Sequence, residues 1–176
     1  MRSVALLRGI NVGGHNMVKM PILTSIVESI GAIDVSTYLQ SGNVLLDSPM
    51  VAPVLDRTLE AAFAEALGFD VPVVTRSHVA MAGIARSHPF ATSSGDERSL
   101  HVVFLSEQPS EEAVGSLAVP EGCADRLILD GAEVYLDLEN AGRTKLTLAW
   151  LERQLGVRGT QRNWRTTCTV AELLSR

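Results

Sequence analysis

Cysteine is scarce in this 176-residue chain: Cys123 and Cys168 stand alone, with no C-x-x-C pair. No disulfide framework and no thiolate metal cage is expected from them, and free thiols in a cytoplasmic setting are. The four histidines, His15, His78, His88 and His101, lie far apart and near no Cys, Asp or Glu at ligand spacing. No metal centre and no cofactor are expected. Aromatic residues make up only 5% of the chain, and Tyr38 is the only candidate in the early strands for a ring exposed to RNA bases. No apolar run approaches the roughly 20 residues that span a bilayer, so no membrane partner is expected. The first residues, Met1-Arg2-Ser3-Val4, enter a strand-like segment directly and show no signal-peptide pattern. Excess positive charge is also missing. The formal net charge is −5, which gives no general affinity for nucleic acid and makes that partner the weaker reading.

What the chain does hold is 46% hydrophobic and 20% charged residues, the balance of an ordered globular fold. Residues 4–7 form an uninterrupted apolar run and predict a strand buried on both faces. Pro21 fits a first helical turn, Ile22, Leu23, Ile26, Val27 and Ile30 repeat at helical spacing, and Gly31 ends the pattern. Residues 35–39 and 44–46 predict a hairpin around Ser41-Gly42-Asn43. Pro53 opens a second helix that Gly68 stops, and residues 71–75 form a strand with Pro72 inside it. This order, βαββαβ, is the split βαβ or ferredoxin-like pattern, with the first and third strands central. Pro72 supports an edge position for the last strand.

The order then begins again. Residues 77–85 predict a connecting helix, and the polar residues 87–99 a linker or long loop. Residues 101–105 predict a strand and 109–117 a helix with Glu111 and Glu112 in its first turn. Residues 126–129 and 134–138 predict a hairpin around Asp130-Gly131. Residues 145–155 form a helix ending at Gly156, and 163–174 a last helix with Thr160 as candidate N-cap. The second half thus repeats βαββα and replaces the final strand by a helix. The expected class is α+β, two ferredoxin-like halves in tandem with a C-terminal helix. The divisions are 1–76, a connecting helix and linker at 77–99, and 100–176.

Chemistry concentrates in three places. Gly9-Ile10-Asn11-Val12-Gly13-Gly14-His15-Asn16 has the glycine spacing of a phosphate-binding loop, but His15-Asn16 replace its lysine and hydroxyl residue. Nucleotide hydrolysis of the usual kind is therefore not expected, while Arg8, Gly9, Asn11, Gly13 and Gly14 remain candidates for contacting an anion. Gln40, Ser41 and Asn43 add neutral donors and acceptors, although the glycine loop and this turn are expected at opposite ends of the sheet. From Arg143 onward the chain turns basic, and Arg143, Thr144, Arg162 and Asn163 form a second candidate cluster. Glu133, Asp137 and Glu139 alternate along a strand, which reads better as a solvated face than as paired acid–base carboxylates.

The motifs LLRGINVGG (residues 6–14), YLQSGNV (38–44) and Arg162-Asn163-Trp164 followed by Thr166 resemble the signatures of bacterial proteins catalogued as domain of unknown function 1697. The resemblance covers nearly the whole chain in the family's order. It implies an α+β fold of ferredoxin-like character and carries no activity with it. The chain departs from the family pattern at His15, where a basic residue is common, and at Thr144, where serine is usual. It departs again at Arg165 and Thr167, which replace an asparagine and an apolar residue. The leading expectation is a protein that binds a small anionic or phosphate-bearing ligand at a glycine loop between two halves. A nucleic-acid-binding module and an enzyme of unassigned reaction stand beside it, with no catalytic residue assigned and the oligomeric state open.

Overall fold

The computed structural model describes residues 1–86 and 88–176, so Ser87, the first residue of the expected linker, lies outside the described residues. The chain divides into two compact units, one made of Met1–Ala82 and Val170–Arg176, the other of Gly83–Thr169.

The first unit runs β1 (Arg2–Leu7), α1 (Met20–Ser29), β2 (Ile33–Tyr38), β3 (Asn43–Asp47), α2 (Ala52–Leu67) and β4 (Val73–Ser77), and α3 (His78–Ile84) follows. Its antiparallel sheet has the order β2-β3-β1-β4, so the first and third strands are central, as the split βαβ pattern requires. Pro21 opens α1, and Gly68 closes α2 in the left-handed conformation. Ala5, Leu7, Val44, Leu46 and Val73 face Leu23, Val27, Leu55, Leu59 and Phe63 from the helices. The opposite face, with Val4, Leu6 and Leu45, is equally buried, which explains why β1 and β3 show no alternation.

Two expectations are corrected in this unit. Pro72 lies just ahead of β4, not within it, and its carbonyl accepts the Arg8 amide at 2.9 Å. The glycine loop and the 39–42 turn emerge at the same end of the sheet. Helix α1 carries the chain back, so β2 runs parallel to β1 and both strands finish together. The register sets Leu6 opposite Asn43, and the Leu7 amide donates to Gly42 O at 2.8 Å.

The second unit runs β5 (Leu100–Leu105), α4 (Glu111–Ser116), β6 (Arg126–Asp130), β7 (Glu133–Asp137), α5 (Leu148–Leu155) and β8 (Gly159–Asn163), and α6 (Trp164–Leu174) follows. Its sheet order is β6-β7-β5-β8, the same topology. The final strand is therefore present, and the expectation that a helix replaces it is overturned. Thr160 is a residue of β8, and no helix starts there. Gly-Thr-Gln-Arg-Asn offers no apolar residue to betray a strand, yet Thr160 and Arg162 are buried in it. Helix α5 begins three residues later than expected, because the Thr147 hydroxyl caps it by accepting the Trp150 amide at 3.2 Å. Val103, Leu105, Val134, Leu136, Leu151 and Leu155 form this unit's core.

The repeat extends to individual hydrogen bonds. Leu7 N–H to Gly42 O is matched by Leu105 N–H to Ala132 O at 2.9 Å, and Arg8 N–H to Pro72 O by Ser106 N–H to Arg158 O at 2.8 Å. The last strand of each sheet is also tied to the preceding helix by a glutamate. Glu60 of α2 accepts the Val73 amide at 3.0 Å, and Glu152 of α5 accepts the Gly159 amide at 2.9 Å. These carboxylates cover edge amides that would otherwise be open to another chain.

Candidate functional site

In the first unit, the glycine loop closes on itself. Gly13 and Gly14 have φ of +58° and +80°, and His15 N–H donates to Val12 O at 3.0 Å. Two successive positive φ values mark the tight primed turn of a small hairpin. Asn11 clasps its base: its carboxamide donates to Val18 O at 3.0 Å and Gln40 O at 2.9 Å, and accepts the Val18 amide at 2.7 Å. Asn11 N–H donates to Asn16 O at 3.1 Å, and Asn16 reaches back to Gly9 O at 3.1 Å. The amides of Arg8, Asn11 and His15 are thus engaged within the unit. Helix α1 begins at Met20, six residues past Gly14, so its first amides do not adjoin the glycines.

The 41–43 segment is a hairpin turn held by packing. Asn43 is fully buried and donates to Tyr38 O at 2.8 Å and to Ser41 Oγ at 3.3 Å. Gly42 has φ +80°, and a Cβ there would lie 2.7 Å from Leu7 Cβ. Asn11 and Gln40 do meet, on the wall of a pocket of about 290 Å³ that Met17, Val18, Lys19 and Met20 complete.

In the second unit, Arg162 is 8% exposed in β8 and donates to Thr160 Oγ1 and Gln161 O, both at 2.8 Å. Burial pulls its pKa down to about 10, so it stays cationic at neutral pH. Asn163 takes the capping role expected of Thr160: its Oδ1 accepts the Thr166 amide at 2.7 Å and opens α6. Trp164 is buried, as large aromatics at helical spacing usually are, and stacks edge-on against His88 with ring centres 5.0 Å apart. His88, in the stretch expected as a linker, is 2% exposed and also meets Tyr135 at 5.2 Å and Phe90 at 5.9 Å. Its Nδ1 accepts the Phe90 amide at 3.3 Å and its Nε2 faces His101 O at 3.1 Å, which fixes the proton on Nε2. Burial holds its pKa below the ordinary value, outweighing the His101 carbonyl and Asp137, which act the other way.

Arg143 and Thr144 line a different place in this unit, a pocket of about 200 Å³ with Gly122, Cys123, Asp125, Glu139 and Lys145. Neither Arg162 nor Asn163 lines it. Asp125 organises its floor, accepting the Thr144 hydroxyl at 2.5 Å and the Glu139 amide at 2.8 Å. Lys145 donates to Glu121 O at 3.1 Å. Ala124 and Glu139 are shared with a second pocket of about 400 Å³, lined also by Ser93, Ser94, Asp96, Ser99 and Asp137. The two pockets adjoin at these shared residues.

Asp137, expected on a solvated face, is instead the hub of that second pocket. Ser94 and Ser99 donate to one of its oxygens, and Arg126 grips the other through Nε at 3.1 Å and a second nitrogen. Burial opposes its ionisation, but the two hydroxyls and the guanidinium prevail and hold the carboxyl below its usual range. Arg126 also lies 4.5 Å over the Phe90 ring. Arg126, Ser94, Ser99 and Asp125 were missed by sequence reasoning, and only the hydrophobic–acidic alternation around Asp137 hinted at the place.

Two four-stranded antiparallel sheets of split βαβ topology, each with its helices, define an α+β protein of tandem ferredoxin-like halves. The chain belongs to the family described as "Protein of unknown function (DUF1697)", which matches residues 1–135. Among solved structures, it is similar to that of the conserved bacterial protein SP0830 from Streptococcus pneumoniae, at 24% identity and a TM-score of 0.75, covering 98% of both chains. That likeness bears on the fold. No curated protein matches the chain. Among the described residues, no helix is long and apolar enough to cross a membrane.

Proposed function

We propose that this protein binds a small anionic, phosphate-bearing ligand in the second unit's cleft, in a cytoplasmic setting. The observation that carries the reading is Arg143. Its side chain is exposed on the pocket wall, and among the described residues it has no hydrogen-bond or ion-pair partner. Its neighbour Thr144 is pinned by Asp125, so the backbone presenting the guanidinium is fixed. A planar guanidinium suits bidentate recognition of a phosphate, and Lys145 adds a second positive charge on the same wall. In this reading Arg8, Asn11 and the glycine hairpin are framework.

Isothermal titration of the whole protein against inorganic phosphate and a panel of nucleotides and phosphorylated metabolites tests the reading. The expected result is heat of binding for at least one phosphate-bearing compound that is lost in Arg143→Ala. Binding that persists unchanged in that variant refutes it, as does a panel with no binder.

A further inference from the structure

The cleft carries charge of both signs along its length, and this narrows the ligand class. Arg143 and Lys145 stand in one compartment, Asp96 and the serine hydroxyls of residues 93, 94 and 99 in the other, and Glu139 lines both. Asp137 is turned inward and saturated by Arg126, Ser94 and Ser99. Asp96 gives one oxygen to the Arg98 amide at 2.9 Å, with its other oxygen outside that bond. Glu139 uses its backbone amide to bond Asp125, while its carboxylate, like the Arg143 guanidinium, has no hydrogen-bond or ion-pair partner among the described residues. Two exposed side chains of opposite charge, both without internal partners, thus line adjoining pockets, with Glu139 on the wall of each.

We infer that the ligand is a zwitterion, a phosphate-bearing primary amine, resting on the anion-binding reading above. The phosphate sits against Arg143 and Lys145. The ammonium group donates to Glu139, with Asp96 and the serine hydroxyls as further acceptors in the adjoining pocket. A compound with the phosphate alone satisfies one end and leaves Glu139 facing an anionic ligand with no counter-charge.

The test is calorimetric titration of the whole protein with two matched series, ω-aminoalkyl phosphates of two to six carbons and the alkyl phosphates that lack the amine. At one chain length the amine is expected to tighten binding about fivefold or more, the scale of one charge-assisted hydrogen bond near solvent. That gain should vanish in Glu139→Gln and shrink in Asp96→Asn, while alkyl phosphate affinity stays the same or improves. Alkyl phosphates that bind through Arg143 with no gain from the amine at any length overturn the zwitterion and leave the anion site standing. If neither series binds, the zwitterion is overturned, and the anion site is decided separately by the phosphate and nucleotide panel above.

Discussion

Gly42 and Gly14 share the same backbone angle, φ +80°, but differ in surroundings. Alanine at either position must adopt a left-handed conformation, which costs about 1–2 kcal/mol. At Gly14 nothing lies within 4 Å of the added methyl. At Gly42 it would meet Leu7 Cβ at 2.7 Å and Ile10 Cδ1 at 2.8 Å. Both contacts belong to buried core residues, and the Leu7 Cβ is fixed to the central strand β1 and cannot swing away. Overpacking of that kind adds about 1–3 kcal/mol. Gly42→Ala is therefore expected to cost about 2–5 kcal/mol and Gly14→Ala about 1–2 kcal/mol. The gain from a stiffer unfolded chain is common to both and cancels in the comparison. Urea and thermal unfolding of the two variants read the difference, which corresponds to roughly 2–12 °C in Tm for a chain of this size. Equal midpoints would refute the close approach of the 39–42 turn to β1 on which the joint between turn and glycine loop rests.

Two buried titratable groups give pH dependences of opposite sign. Burial raises the Asp56 carboxyl from 3.8 to about 6, against the opposing influence of nearby Thr75 and the Arg76 charge. The folded state thus holds this proton more tightly, and stability falls as pH rises from about 4 to 6. In Asp56→Asn that loss should disappear, seen as a Tm advantage over the parent at pH 7 but not at pH 4. A constant advantage would show that Asp56 does not titrate in this range. The His88 imidazole is held neutral, so its contribution is complete above 6.5 and is lost as pH falls through that value toward its lower folded pKa. His88→Phe should flatten the decline in Tm between pH 7 and 5, and an unchanged slope would count against the neutral, Nε2-protonated ring. Asn11→Asp sets a carboxylate against the carbonyls of Val18 and Gln40, to which the amide now donates. It should destabilise by about 2–3 kcal/mol, read by urea midpoint, whereas a near-neutral effect would mean the clasp contributes little.

The first sheet was legible because its signals are local: apolar runs, prolines at helix starts and a turn tripeptide. Strand β8 was not, because its side chains carry no strand pattern and its pairing with β5 is long-range. A clue was present in the residue order, though not in the spacing: a helix glutamate, then a closing glycine, then a strand whose first amide the glutamate accepts, at Glu60 and Gly68 and again at Glu152 and Gly156. The shared end of the glycine loop and the hairpin turn followed from topology alone, once the return path of α1 is traced. The Asp137 hub was opaque for a different reason. Arg126 and Ser94 lie 11 and 43 residues away from it in the chain, and no periodicity links them. Likewise the polar composition of residues 88–99 conceals His88 and Phe90, whose burial depends on a sheet formed later in the sequence.

Helix α6 begins in the second unit and ends in the first, because Val170–Arg176 belongs with Met1–Ala82. Val170, Ala171 and Leu174 are among its buried residues. The first unit is therefore discontinuous in sequence. On a ribosome, which extends the chain from its N-terminus, that unit waits for nearly ninety residues of intervening polypeptide before its last segment is made. A stalled chain ending before residue 170 would lack Val170, Ala171 and Leu174 and leave the apolar surface they cover open to chaperones and proteases.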